Sequence, residues 1–148
     1  MDELEKILLT SSLTILGGVV VYTVGQVISK FFIEPIHRQG EIIGDIADAL
    51  VYYADVYSNP GLAGMEEAQQ ALRRLASSLR SRSYMIRWYK LWEILRLVPK
   101  LSSVGEASSN LIGLSNSVGP HGDGMRNSDR ADKIRTLLGI PTGETLIT

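Results

Sequence analysis

ILLTSSLTILGGVVVYTVGQVIS, residues 7–29, contains no charged residue and lies between Lys6 and Lys30. A helix of these 23 residues would be roughly 35 Å long at about 1.5 Å per residue, close to the thickness of the hydrocarbon core of a bilayer. The alternative is a buried helix of a soluble protein, because polar side chains dilute its hydrophobicity, among them Thr10, Ser11, Ser12, Thr14, Thr23 and Gln26. We predict an N-terminal transmembrane anchor over residues 1–33.

The charges on either side of this run predict its processing and its orientation. The leader MDELEK is acidic, whereas a secretory signal peptide begins with a basic region, so we expect the run to stay on the mature chain. Lys6 alone precedes the run, and Lys30 and Arg38 follow it within ten residues. Because basic flanks favour the cytoplasmic side, we predict a bacterial inner-membrane protein whose C-terminal domain is cytoplasmic.

Small side chains recur on one face of the predicted anchor. Ser11, Gly18 and Gly25 are seven residues apart, and Thr14 lies three residues from Ser11. A small face lets two helices approach closely in lipid, although glycine and serine are also tolerated in such helices without a packing role. Because a single anchor has no partner helix of its own chain at that depth, we predict self-association into a homo-oligomer.

Prolines at positions 35, 60, 99, 120 and 141 divide the rest of the chain into pieces with a helical apolar period. We predict helices over residues 34–57, 64–82, 83–98, 103–118 and about 128–138. No stretch alternates apolar and polar residues long enough to predict a strand. The fold class is therefore all-α, with a transmembrane helix followed by a small cytosolic bundle of about five helices at 34–140 and a flexible tail at 141–148.

Core stripes and caps refine these helices. Ser103 and Glu106 form a predicted capping box at the start of one helix, and Gly139 is a predicted C-cap of the last one, which we expect to begin at Ser128 or Asp129. The first predicted stripe comprises Ile36, Ile43, Ile46, Leu50, Tyr53 and Tyr57. The others are Ala68, Leu72, Leu75 and Leu79; Trp88, Leu91, Leu95 and Val98; Val104, Ala107, Leu111, Leu114 and Val118; and Ala131, Ile134 and Leu138.

Composition and motifs give little support for catalysis. The chain has no cysteine, which excludes thiolate nucleophiles and Cys-ligated zinc, and its two histidines are His37 and His121. The sequence contains no phosphate-binding, dinucleotide-binding, zinc-protease or esterase motif. His121 and Asp123 are two residues apart in GPHGDGMRNSD, residues 119–129, which we interpret as a flexible connector. We expect no catalytic residue, no metal site, no cofactor and no enzymatic activity.

Charge is distributed unevenly along the chain, although the net charge of −1 disfavours a generic nucleic-acid binder. Residues 34–67 contain seven acidic residues and one arginine, a net charge of −6, and residues 73–100 contain eight basic residues and one glutamate, a net charge of +7. The two regions could face each other within or between protomers. Alternatively, the basic region contacts anionic lipids or binds RNA or nucleotides. The candidate anionic-ligand or lipid contacts are Arg80, Arg82, Arg87 and Lys90.

An uncharged polar face accompanies the apolar stripe of the helix at 103–118. Between Glu106 and Asp123 only His121 can carry a charge. A solvated helix face normally carries lysine and glutamate, so a hydroxyl and amide face around a glycine favours close approach to another surface. The alternative is an exposed helix that is merely polar. The residues away from the stripe are Ser108 and the candidate contact face, which comprises Ser109, Asn110, Gly113, Asn116 and Ser117.

Two stretches carry a resemblance to known proteins. KFFIEPIHRQGEIIGDIADALVYYADVYSNP at residues 30–60 and EASSNLIGLSNS at 106–117 resemble a group of short bacterial single-pass membrane proteins of unknown function. The shared features are the membrane helix, the F-[IV]-[ED]-P-I junction at 32–36, the helix end YYADVYSNP and the LIGLSNS helix at 111–117. In layout alone, the chain is also similar to membrane accessory proteins of CRISPR and anti-phage systems. Neither resemblance implies an activity.

Together these features predict a membrane-anchored interaction or assembly protein. In this hypothesis the protomers associate through the anchor and the helical domain, and the assembly scaffolds an unknown protein partner or perturbs the membrane in stress or phage defence. The alternative is a membrane-tethered sensor that binds RNA or nucleotides with the basic hairpin at 73–100. We do not favour nucleic acid as the partner.

Overall fold

A computed structural model describes residues 2–141, and this part of the chain is helical and contains no strand. The all-α prediction is therefore confirmed. The helices are α1 (Glu3–Ile28), α2 (Glu34–Tyr52), α3 (Ala54–Ser58), α4 (Met65–Met85), α5 (Tyr89–Ile94), α6 (Leu101–Ser117) and α7 (Gly124–Leu138), with a π turn at Ser29–Ile33. Internal contacts divide the chain into two units after Glu34. The predicted tail at 141–148 lies, from residue 142 on, outside the described residues.

The N-terminal helix α1 is exposed along its whole length. None of its residues is buried, and the helical run Glu3–Tyr52 is long and apolar enough to cross a membrane. A π turn follows α1, where the N–H of Glu34 donates to the carbonyl of Ser29. Pro35 comes next and has no N–H to donate, so it occupies the first turn of α2, where that donor is not needed.

The core of the second unit is built by the predicted apolar stripes. Helix α4 packs against α6, α6 packs against α7, and α3 also contacts α7. Leu72 and Leu79 of α4, Leu111 and Leu114 of α6, and Ile134 of α7 are fully buried. Within the first predicted stripe, Ile46, Leu50 and Tyr57 are buried, and Ile36, Ile43 and Tyr53 are half-buried. The stripes of α2, α4, α6 and α7 are confirmed.

The predicted helix at 83–98 is wrong. Helix α4 continues to Met85, and α5 is only six residues long. Trp88 and Arg96, at either side of α5, have φ values of 54° and 58°, a left-handed conformation that no continuous helix of L-residues contains. Among the predicted stripe of this piece Val98 is buried, and Trp88, Leu91 and Leu95 are exposed.

Two predicted helix starts are also wrong. Helix α6 begins at Leu101 without a capping box; the carboxylate of Glu93 accepts the Leu101 N–H at 3.2 Å instead. Helix α7 begins at Gly124 and not at Ser128 or Asp129, because the side chain of Asp123 accepts the N–H groups of the first turn. The end of α7 is confirmed: Gly139 has φ 68°, as a glycine C-cap requires.

Candidate membrane and interaction surfaces

The predicted association face lies on the exposed surface of α1. The hydroxyl of Thr14 donates to the carbonyl of Thr10 at 2.8 Å, so it needs no partner from another helix. Thr10 and Thr23 bond the carbonyl four residues earlier in the same way. A Cβ atom placed on Gly18 or Gly25 would meet nothing within 4 Å. The helix backbone is therefore accessible at both glycines within the part of the chain that the structure describes.

The candidate contact face of α6 is partly used inside the domain. Ser108 does not face away from the stripe as predicted: it is buried, and its hydroxyl donates to the carbonyl of Ala76 on α4. The hydroxyl of Ser109 and the amide of Asn110 donate to carbonyls four residues earlier on α6. Asn116 accepts a hydrogen bond from Arg73 at 2.7 Å. These bonds tie the polar face to its own helix and to α4.

Gly113 gives room to an arginine of the same chain. A guanidinium nitrogen of Arg130 on α7 donates to the carbonyl of Gly113 at 3.1 Å and to the hydroxyl of Ser117 at 2.8 Å. A Cβ atom on Gly113 would lie 3.3 Å from the carbon of this guanidinium. The close approach that the glycine indicated is thus made by α7. Of the five predicted contact residues, Ser109 and Asn116 are exposed and the other three are half-buried.

The connector at 119–129 packs closely and ends as part of α7. A Cβ atom on Gly122 would collide with the backbone carbonyl of Ser117, and one on Gly124 would collide with that of Ser58. Asn127 is fully buried, and its amide donates to the carbonyls of Tyr57 at 3.0 Å and Ser117 at 2.9 Å. The sequence predicted neither contact, because each partner belongs to another helix.

The four candidate anion contacts are distributed over α4, the link after it and α5. Arg80 and Arg82 are two residues apart on α4, so their side chains point in nearly opposite directions. Arg80 lines a depression of about 470 Å³ between α4 and α6, together with Arg73, Ser77 and Tyr84. Arg87 lies in the link after α4 and Lys90 on α5, both exposed. Binding of RNA or nucleotides by these residues stays a prediction.

Acidic and basic side chains line another depression together. Asp45 and Asp48 of α2 and Arg74 of α4 line a space of about 500 Å³, with Tyr52 and Tyr53 at its edge. This arrangement is in keeping with the interpretation that the acidic and the basic region face each other within a protomer. The side chains are exposed, so we expect them to influence register more than stability.

A buried amide connects α2 to the last turns of α4 and to the start of α5. The Nε2 of Gln39, which is 1% exposed, donates to the hydroxyls of Ser83 at 2.7 Å and Tyr89 at 3.0 Å. Each hydroxyl in turn donates to a carbonyl, Ser83 to that of Leu79 and Tyr89 to that of Pro99. Burial raises the pKa of the Tyr89 hydroxyl, although the hydrogen bond from Gln39 lowers it. The net effect is a Tyr89 pKa above its ordinary value of 10.0. The protonated hydroxyl therefore stabilises the fold below pH 10, and this stabilisation is lost as the pH rises through the raised pKa.

Replacing Gln39 by alanine should destabilise the domain by about 2 kcal/mol, because the buried hydroxyl of Ser83 and the half-buried hydroxyl of Tyr89 lose their donor and a small cavity forms. Thermal unfolding followed by circular dichroism would measure this loss. Gln70→Ala is the matched control, since Gln70 lies on the exposed face of α4. Equal unfolding temperatures of the two variants would contradict the role of this network.

The connector also contains His121 and Asp123. Asp123 is engaged in capping α7, and His121 beside it is exposed. Among residues 2–141, no group of three or more histidine or acidic side chains could hold a metal ion.

Comparison with protein-family models, curated proteins and solved structures finds no match to this chain.

Proposed function

We propose that this chain is a single-pass bacterial inner-membrane protein with a cytoplasmic helical domain, and that it acts as a self-associating interaction or assembly protein. The exposure of α1 is the observation that carries the proposal. Its large apolar side chains are 47% to 72% exposed, and no residue of the helix is buried. A helix that is apolar on every face and uncovered by its own protein belongs in lipid.

Exposure of α1 to water would be costly. Covering one leucine, isoleucine or valine side chain is worth about 1.5–3 kcal/mol, and α1 leaves all of these side chains uncovered. A bilayer covers these apolar side chains together. The threonine hydroxyls of α1 are already bonded to carbonyls of the same helix. The backbone of a continuous helix also satisfies its own polar groups, as a spanning segment must.

Self-association through α1 is supported by the open space at its glycines. In lipid there is no hydrophobic force between helices, so close backbone contact and packing have to stabilise an assembly. Gly18 and Gly25, with Ser11 and Thr14, allow this approach because, apart from the neighbouring backbone of α1, no described residue lies within 4 Å of a Cβ at either glycine. We propose that a second copy of α1 packs on this face.

Exchange of Gly18 and Gly25 for leucine should weaken this association. Two bulky side chains would separate the helices, and we expect roughly a tenfold loss of cross-linked oligomer in membranes, which corresponds to about 1.4 kcal/mol. Gly17→Leu is the control, because Gly17 is equally open but lies about 100° around the helix from Gly18. The same oligomer yield for Gly18→Leu/Gly25→Leu as for Gly17→Leu would rule out this face.

A further inference from the structure

Residues 84–101, which we name the basic-apolar segment, carry the densest exposed apolar surface of the second unit. Eight large apolar side chains of the segment are 42% to 72% exposed, whereas the rest of the described unit, residues 35–83 and 102–141, has five. Among the eight, Trp88 and Ile94 are 70% and 71% exposed, and Leu95 and Leu97 are more than half exposed. Apolar surface concentrated in this way marks an interaction site.

The surface charge of the basic-apolar segment is positive. Its basic residues are Arg87, Lys90, Arg96 and Lys100, and its one acidic residue is Glu93. The carboxylate of Glu93 is engaged with the N–H of Leu101 at the start of α6. The basic residues therefore alternate along the segment with the exposed apolar residues, and its one acidic side chain already accepts a hydrogen bond.

The domain holds the segment in place from the inside. Ile86 and Val98 are buried near its two ends, and Tyr89 is bonded to Gln39 and to the carbonyl of Pro99. Because these inward side chains fix the segment, its exposed side chains do not depend on a partner for their position.

We propose that the basic-apolar segment is a second membrane-contact surface that lies on an anionic bilayer. This inference rests on the proposed function, since the anchor holds the segment near lipid at a high effective concentration. Tryptophan and leucine side chains enter the boundary between headgroups and acyl chains, and arginine and lysine reach the anionic headgroups. The combination of exposed apolar residues and excess positive charge fits a lipid surface better than a protein groove, which would have to supply several acidic side chains.

The two tryptophans of the chain, Trp88 and Trp92, both lie in the segment and serve as its reporters. Full-length protein is reconstituted in vesicles of phosphatidylcholine alone or mixed with phosphatidylglycerol, and alkaline carbonate extraction first selects the inserted fraction. Brominated lipids then quench fluorescence in the Trp92→Phe variant, which retains Trp88. We expect emission at shorter wavelength and roughly half of it quenched in anionic vesicles, as for a ring about 5–10 Å into the boundary.

Charge variants separate contact with anionic lipid from contact between two copies of the chain. Arg87→Gln/Lys90→Gln should raise the phosphatidylglycerol fraction needed for half-maximal quenching by roughly twofold or more, whereas the control Arg74→Gln/Arg126→Gln should not.

Inserted protein whose Trp88 is not quenched in anionic vesicles overturns the inference and leaves the anchor intact. If Trp88 is quenched before extraction in protein that carbonate afterwards removes, the result supports the segment and contradicts the anchor. If the emission wavelength shifts with protein concentration and not with lipid charge, the surface contacts a second copy of the chain. That outcome would contradict the inference.

Discussion

Gly124→Ala should cost the helical domain about 3 kcal/mol or more of its free energy of unfolding. The added Cβ would collide with the carbonyl oxygen of Ser58, and this atom belongs to the backbone at the end of α3. A backbone carbonyl cannot rotate away as a side chain does, so α7 would have to shift relative to α3. The shift would also disturb Asn127, whose amide holds the carbonyls of Tyr57 and Ser117.

The measurement is thermal unfolding of the detergent-solubilised chain by circular dichroism, in which about 3 kcal/mol corresponds to roughly 10–20 °C for a domain of this size. Gly119→Ala is the matched control in the same connector, because a Cβ on Gly119 would meet nothing within 4 Å. Should Gly124→Ala unfold at the temperature of Gly119→Ala, the packing of the connector against α3 would be wrong.

Arginines in the centre of α1 should release the protein from membranes. We choose Leu16→Arg with Val20→Arg, because both residues lie in the middle of the uncharged run and are about 60% exposed in α1. Each central arginine costs about 2.5–3.5 kcal/mol of insertion free energy. We therefore expect most of the double variant to appear in the alkaline carbonate extract, with the unaltered chain remaining in the membrane pellet.

The control for this double variant puts two arginines on exposed apolar positions outside α1. Val51 and Met125 are 71% and 80% exposed, and Val51→Arg with Met125→Arg adds the same charge to the chain. We expect this control to remain in the pellet. Retention of Leu16→Arg/Val20→Arg in the pellet would show that α1 does not hold the protein in the membrane.

The core could be predicted from the sequence where a helix buries one continuous stripe. Leu72, Leu111 and Ile134 recur with their apolar neighbours at the helical period, and all three are fully buried. The same period at 83–98 gave a wrong result, because it cannot distinguish an apolar face that packs inside the domain from one that remains at the surface. Left-handed Trp88 and Arg96 also have no local signal, since glycine and asparagine are the usual residues in that conformation.

The polar contacts could not be predicted from the sequence, because they join residues far apart along the chain. Gln39 and Ser83 are 44 positions apart, and Arg130 on α7 bonds to Gly113 on α6, 17 positions away. The glycine at position 113 did indicate close approach, but a sequence pattern cannot say whether the approaching surface belongs to the same chain. Capping shows a similar limit: the carboxylate at the start of α6 comes from Glu93.

The bond from Asn127 to Tyr57 joins residues 70 positions apart, and this separation sets an order of events during synthesis. At about 5–20 residues per second, a ribosome needs roughly 4–14 s to travel from one to the other. During that interval the carbonyl of Tyr57 has no hydrogen bond from Asn127. The core, which includes the apolar faces of α2 and α4, stays incomplete until α7 has been made. The hydrophobic run at 7–29 is translated before all of them. The proposed anchor can thus meet the bilayer before the domain behind it has closed.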